Sequence, residues 1–202
     1  MQEIAGLSRA QFLARALPGS LALVAGGSVL ALAAGPATAQ TAPGEEDLAH
    51  LRLAAAAELL AEAFYTRAII ARTFVGAERA YLGQARKTER EHYAALAALL
   101  GDGAPRAADF QFRFPENAFA TRASAARIGV ALETAFVGAY LGAVGALQSS
   151  ELRFVAAQIA ASEASHLSVM SGISTGNPIG PAFPSGLDLE QASSVLDRFL
   201  GE

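Results

Sequence analysis

The chain has 202 residues, 52% of them hydrophobic, and a formal charge of -4. That length supports one domain with a substantial core rather than two large ones, and the lack of any basic run or stripe leaves no footprint for nucleic acid. There is no cysteine. This excludes disulfides, iron–sulfur clusters, thiolate zinc sites, a cysteine nucleophile and a cysteine-linked lipid anchor, so any metal must be held by oxygen and nitrogen.

Residues 1–39 read as an export signal. Arg9 and Arg15 flank Ser8-Arg9-Ala10-Gln11-Phe12-Leu13, which resembles a twin-arginine motif with Ala10 in place of one arginine. An apolar run from Leu21 to Ala34 leads to Ala37-Thr38-Ala39, a small-x-small cleavage site. The run is rich in glycine and alanine, which is weak for a membrane span of about 20 residues. The expectation is cleavage, no lasting membrane insertion, and a mature chain from Gln40 in the periplasm or cell envelope. An uncleaved anchor is the alternative.

Four long helical patterns follow. The first spans about Glu45 to Phe74, with Leu48, Leu51, Ala55, Leu59, Phe64, Ile69 and Ile70 at helical spacing, and Gly76 breaks it. The second spans about Glu78 to Leu100 and is closed by Gly101-Asp102-Gly103. Residues 102–120, with Pro105, Pro115 and Asp109-Phe110-Gln111-Phe112-Arg113-Phe114, show no helical period. The third helix spans about Thr121 to Leu147 and the fourth Ser150 to Met170. Pro178, Pro181 and Pro184 then mark an irregular tail, with a short helix expected between Leu187 and Leu200. Two helical hairpins joined by a long crossover predict an all-α four-helix bundle over residues 40–173, with the tail occupying 174–202. No strand alternation or glycine-rich phosphate loop competes with that reading.

Two of the three histidines lie three residues after a glutamate, as Glu89-Arg90-Glu91-His92 and Glu163-Ala164-Ser165-His166. That spacing puts both side chains on one helix face. About thirty residues upstream of each pair, Glu58 and Glu133 stand in strongly apolar stretches. In an antiparallel hairpin, residues equidistant from the turn share a level. The midpoint of Glu58 and Glu89 falls at Thr73-Phe74, and that of Glu133 and Glu163 at Gln148, so all four glutamates are expected roughly 22 Å from their turns. Neither Glu58 nor Glu133 has a lysine or arginine at helix-pair spacing. An unpaired buried carboxylate costs several kcal/mol or stays protonated, whereas two divalent cations would balance four carboxylates. Each lone glutamate is followed seven residues later by a tyrosine, Tyr65 and Tyr140, about 10 Å along the same face.

At these residues the chain resembles the ferritin-like di-iron carboxylate superfamily, with one Glu on each of two helices and Glu-x-x-His on each of the other two. It looks closest to the exported, desiccation-related branch in Glu58-Leu59-Leu60-Ala61-Glu62-Ala63-Phe64-Tyr65, in Phe112-Arg113-Phe114-Pro115, and in Ala131-Leu132-Glu133 through Ala139-Tyr140-Leu141. The resemblance implies bridging roles for Glu89 and Glu163, terminal roles for Glu58 and Glu133, and one metal each for His92 and His166. Tyr65, Tyr140 and Glu62 are expected beside the ligand carboxylates, with Glu62 also able to replace Glu58. Many members carry an Asp immediately before the motif glutamate, where this chain has Thr88 and Ser162. The implied function is an exported protein holding two iron ions, or two manganese ions, that reacts with O2 or peroxide in iron handling or oxidative and desiccation stress. A non-catalytic stress or envelope protein and a dimanganese catalase are the alternatives, and assembly into a homo-oligomer is open.

Overall fold

The computed structural model describes residues 43–200. The export signal expected in residues 1–39 lies outside them. Five helices follow in order: α1 (Glu45–Ala71), α2 (Gly76–Leu100), α3 (Arg122–Ala146), α4 (Ser150–Thr175) and α5 (Leu189–Asp197). α1 packs on α2 and α3 on α4 as two hairpins, and α5 lies across α1 and α3. The crossover holds two single 3-10 turns, at Gly101–Gly103 and Ala107–Asp109. The architecture is the all-α, two-hairpin bundle expected.

Helix ends differ from expectation where backbone conformation, rather than residue type, decides. α1 stops at Ala71 because Arg72 adopts the left-handed conformation, φ 58 and ψ 21, and donates its N–H to the Ile69 carbonyl. Gly76, the expected breaker, is instead the first residue of α2. α4 runs past Met170 to Thr175, where Gly176 closes it at φ 79. The Arg122 guanidinium helps to hold that last turn by donating to the Ile173 carbonyl at 3.1 Å. α5 is shorter than the apolar pattern: Asp188 starts it, accepting from Gln191 N at 2.8 Å, and Leu200 leaves it to bridge Phe112.

Apolar side chains divide into two clusters along the bundle. One gathers around Phe64, Leu82, Leu132 and Met170 towards the α1–α2 turn. The other gathers around Leu51, Leu96, Leu147 and Ile159 towards the α3–α4 turn. The hairpins are tied together by Asp47, 2% exposed, whose carboxylate accepts from the backbone N–H groups of Gln148 at 2.8 Å and Ser149 at 3.2 Å. Crossover aromatics seal the α1 flank, with Phe114 meeting Phe64, Phe119 and Phe199 at tilted or edge-on angles under the Arg67 guanidinium.

The tail fastens to α3 at bare glycine. Leu187 N–H donates to the Gly138 carbonyl at 2.8 Å, and a Cβ on Gly142 would fall 1.7 Å from the Leu187 carbonyl oxygen. Only glycine permits that approach. α3 is also, among the described residues, the one helix long and apolar enough to cross a membrane. Its buried residues face the bundle interior, and they include Glu133 with its carboxylate.

Candidate metal centre

Between the two apolar clusters lies a layer of charge. Glu89, Glu133 and Glu163 are fully buried, and Glu58 and His166 are nearly so. Among the described residues, no lysine or arginine makes an ion pair with any of these four glutamates. Each comes from a different helix, because the antiparallel hairpins bring residues equidistant from a turn to one level, and the observed turns at 72–75 and 147–149 contain the predicted midpoints.

All six predicted residues converge there. Glu58, Glu89, His92 and Glu163 bring one ligand atom each within 4.8 Å of one another, and Glu89, Glu133, Glu163 and His166 do the same. Glu89 and Glu163 belong to both groups. His92 Nδ1 lies 3.0 Å from Glu163, 3.2 Å from Glu89 and 3.4 Å from Glu58. His166 Nδ1 lies 2.7 Å from Glu89 and 3.6 Å from Glu163.

Electrostatics makes this cluster costly as protein alone. Burial, then the charges of Glu163 and Glu89, pushes Glu133 well above the usual carboxylate range, and burial with the Glu163 charge does the same to Glu58. Burial would also raise Glu163, but the adjacent imidazoles of His166 and His92 overcome it and hold the carboxyl at about 2. Burial would lower the histidines, yet the surrounding carboxylates raise His92 to about 12 and His166 to about 9. Even with protons shared in this way, Glu58 Oε2, Glu89 Oε1, Glu133 Oε2, both oxygens of Glu163 and His166 Nδ1 are buried with no well-formed hydrogen bond. Such orphaned donors and acceptors need a partner. Cations of the kind that oxygen and imidazole ligands hold supply it.

The tyrosines reach across rather than along. Tyr65 of α1 donates its hydroxyl to Glu133 Oε1 of α3 at 2.5 Å, and Tyr140 of α3 donates to Glu58 Oε1 of α1. Because α1 and α3 run antiparallel, the seven-residue advance from each glutamate carries its tyrosine to the level of the other. Glu62 does not join them. Its partly exposed side chain pairs instead with Arg90 of α2 at 3.6 Å. Nor does Thr88 stand in for an aspartate at the histidines: it spends its hydroxyl on the Gln84 carbonyl.

Sequence reasoning missed Tyr81. Its ring meets His166 edge-on at 6.1 Å and Tyr65 at 6.5 Å, and its hydroxyl donates to the His166 carbonyl at 3.5 Å. It stands about two turns before Glu89, a spacing that would have placed it on the ligand face. Nothing in the second hairpin repeats it, so the internal duplication gave no signal.

A bundle of two helical hairpins enclosing a layer of four glutamates and two histidines defines a helical protein with a carboxylate-rich centre able to hold metal. The chain matches the ferritin-like domain family over residues 46–175, which takes in all four bundle helices, and it belongs to that family. No curated protein matches it.

Proposed function

We propose that the cluster binds two metal ions, iron in the first instance and manganese as the alternative, and that the loaded protein reacts with O2 or peroxide. The observation that carries this is the sharing of Glu89 and Glu163 between two four-residue groups, each completed by its own glutamate and histidine. Glu89 and Glu163 would bridge, Glu58 and His92 would hold one ion, and Glu133 and His166 the other. Two such metals would supply electrons and Lewis acidity to a small oxygen species.

The chain's own residues set the conditions for that chemistry. Tyr65 and Tyr140 each fix one oxygen of a terminal glutamate and leave its Oε2 without a hydrogen bond. This orients the carboxylates before a ligand arrives, the work that outer partners do around a metal site. The apolar clusters on either side keep bulk water from the layer.

The role we assign is ferroxidase or peroxidase-like activity in iron handling or oxidative and desiccation stress, in the desiccation-related branch of the family. Residues 1–39 support a site of action in the periplasm or cell envelope. Metal analysis of the mature protein followed by aerobic Fe(II) oxidation tests the reading. Two metals per chain with oxygen uptake are expected. Full helicity without two metals after reconstitution would refute it in favour of a non-catalytic envelope protein, and peroxide decay with manganese alone would indicate a dimanganese catalase.

A further inference from the structure

The two crossed tyrosines are packed differently. Tyr65 is enclosed by rings: Phe64 at 5.2 Å, His166 at 6.0 Å and Tyr81 at 6.5 Å. Tyr140 borders open space on two sides. Beneath α5 lies a cavity of about 40 Å³, walled by Ala54, Ala57, Ala135, Ala139, Ala143 and Ala192 as well as by the Tyr140 ring. A second void of about 10 Å³ sits behind the same ring and shares Ala54 and Ala143.

The larger cavity has room for more than one water, which needs only ~10–15 Å³. It offers water little to bind. Its two charged or ring-nitrogen residues lie at the rim and each has one polar atom engaged elsewhere: His50 Nδ1 meets the Glu46 carbonyl at 3.0 Å, and Asp188 Oδ1 caps α5. Apolar cavities of this kind stay dry and take up small apolar guests such as xenon. The inner wall is one residue from the charge layer, since Ala57 precedes Glu58 and the Tyr140 hydroxyl is bonded to Glu58.

We propose that the alanine-lined cavity beneath α5 is a docking pocket for a small apolar gas, and that it delivers dioxygen rather than peroxide to the Glu58–His92 side of the centre. The second half of that statement rests on the function proposed above. Hydrogen peroxide would lose its hydrogen bonds on entering these walls, while dioxygen has none to lose. Tyr140 is then the inner wall of the pocket as well as the partner of Glu58, and α5 is its roof, held down by the Leu187–Gly138 bond and the Gly142 contact.

The test has two arms. In the first, crystals of the protein without added metal are pressurised with xenon. Xenon seated beneath α5 is expected, and xenon found only elsewhere would overturn the pocket. In the second, Ala139→Leu fills the cavity, with Ala192→Leu on α5 as the alternative should the first variant fold poorly. On the Fe(II)-loaded protein, oxidation by O2 should slow several-fold while oxidation by peroxide and the iron stoichiometry stay unchanged. Equal slowing with both oxidants, or with neither, would overturn the dioxygen assignment. If two metals do not bind to the parent protein at all, the di-metal reading falls and takes the dioxygen assignment with it, while xenon still decides the pocket.

Discussion

The half-site of Glu133, His166 and Tyr65 and the half-site of Glu58, His92 and Tyr140 carry the same ligand types in the same order, yet their surroundings diverge. Around His166, Tyr65 and Tyr81 close the space with rings met edge-on, and the nitrogen comes within 2.7 Å of Glu89. Around Glu58, the tyrosine backs onto alanines and voids, and His92 is the more exposed of the two imidazoles. Ligand identity is therefore a property of the repeat, while access and rigidity are properties of residues that the repeat does not share. Tyr81 and α5 are the two pieces that break the symmetry.

The largest test strikes both halves at once. Glu89→Ala and Glu163→Ala each remove a carboxylate common to the two groups, so two-metal binding should be lost in either variant, whereas Glu62→Ala and His50→Ala should keep it. Metal analysis after reconstitution reads this directly, and unchanged stoichiometry in both glutamate variants would refute the shared assignment.

Next come the tyrosines. Tyr65→Phe and Tyr140→Phe leave ring packing in place and free one oxygen of a buried carboxylate, and each should weaken metal affinity by about 10- to 100-fold, the usual effect of losing an outer hydrogen bond. Calorimetric titration should show the variants affecting different ions: Tyr65→Phe the Glu133 side and Tyr140→Phe the Glu58 side. Loss of the same ion in both would contradict the crossed pairing.

Gly142→Ala tests the roof alone. Its Cβ cannot coexist with the Leu187 carbonyl at 1.7 Å, so the tail must lift, at a cost of about 1–3 kcal/mol. Thermal unfolding should show the loss, and limited proteolysis should cut the tail faster than in the parent.

Proton coupling separates the halves more finely. Without metal, carboxylate neighbours keep His92 protonated up to about 12 and His166 up to about 9. A metal must displace those protons, so affinity should rise with pH and fall as pH drops, by up to about tenfold per unit for each proton released. Above pH 9 the His166 proton is already gone while that of His92 remains. Proton release measured in buffers of different ionisation enthalpy should therefore decline above that value through the His166 side first.

The smallest effect concerns neither half. The Arg122 guanidinium, bonded to Glu78 at 2.5 Å, holds that carboxyl below its ordinary range. The pair lies near the surface, so it contributes little. What it does contribute is present above the ordinary carboxylate pKa and is lost as pH falls through the lowered value. Glu78→Gln should lower Tm slightly at neutral pH and not at all in strong acid.

Much of this molecule is legible in its sequence because helices translate spacing into direction. Glu-x-x-His fixes a face, hairpin midpoints fix a level, and the turns at 72–75 and 147–149 contain those midpoints. What the sequence hid depends on which chain segment lies opposite. Tyr65 and Tyr140 have a face from their own helices, but their partners come from antiparallel α1 and α3 in contact. Asp47 reads as an acidic residue in a first helical turn, favourable there on its own account, so nothing marks it as the acceptor for Gln148 and Ser149. Gly142 reads as one of many glycines in an apolar helix until Leu187 is laid over it. Arg72, rather than Gly76, ends α1 because a single residue in the left-handed region suffices, and residue type only biases where that occurs.

The crossed tyrosine bonds carry one more consequence. Tyr65 of the first hairpin grips Glu133 of the second while Tyr140 of the second grips Glu58 of the first, the reciprocal contact that defines an isologous interface between two like subunits. Each four-residue group likewise draws three members from one hairpin and one from the other. Neither hairpin contains a whole site. The centre of this single chain thus has the form of a two-fold interface between its own hairpins, and the carboxylate and histidine cluster is complete only where the two halves meet.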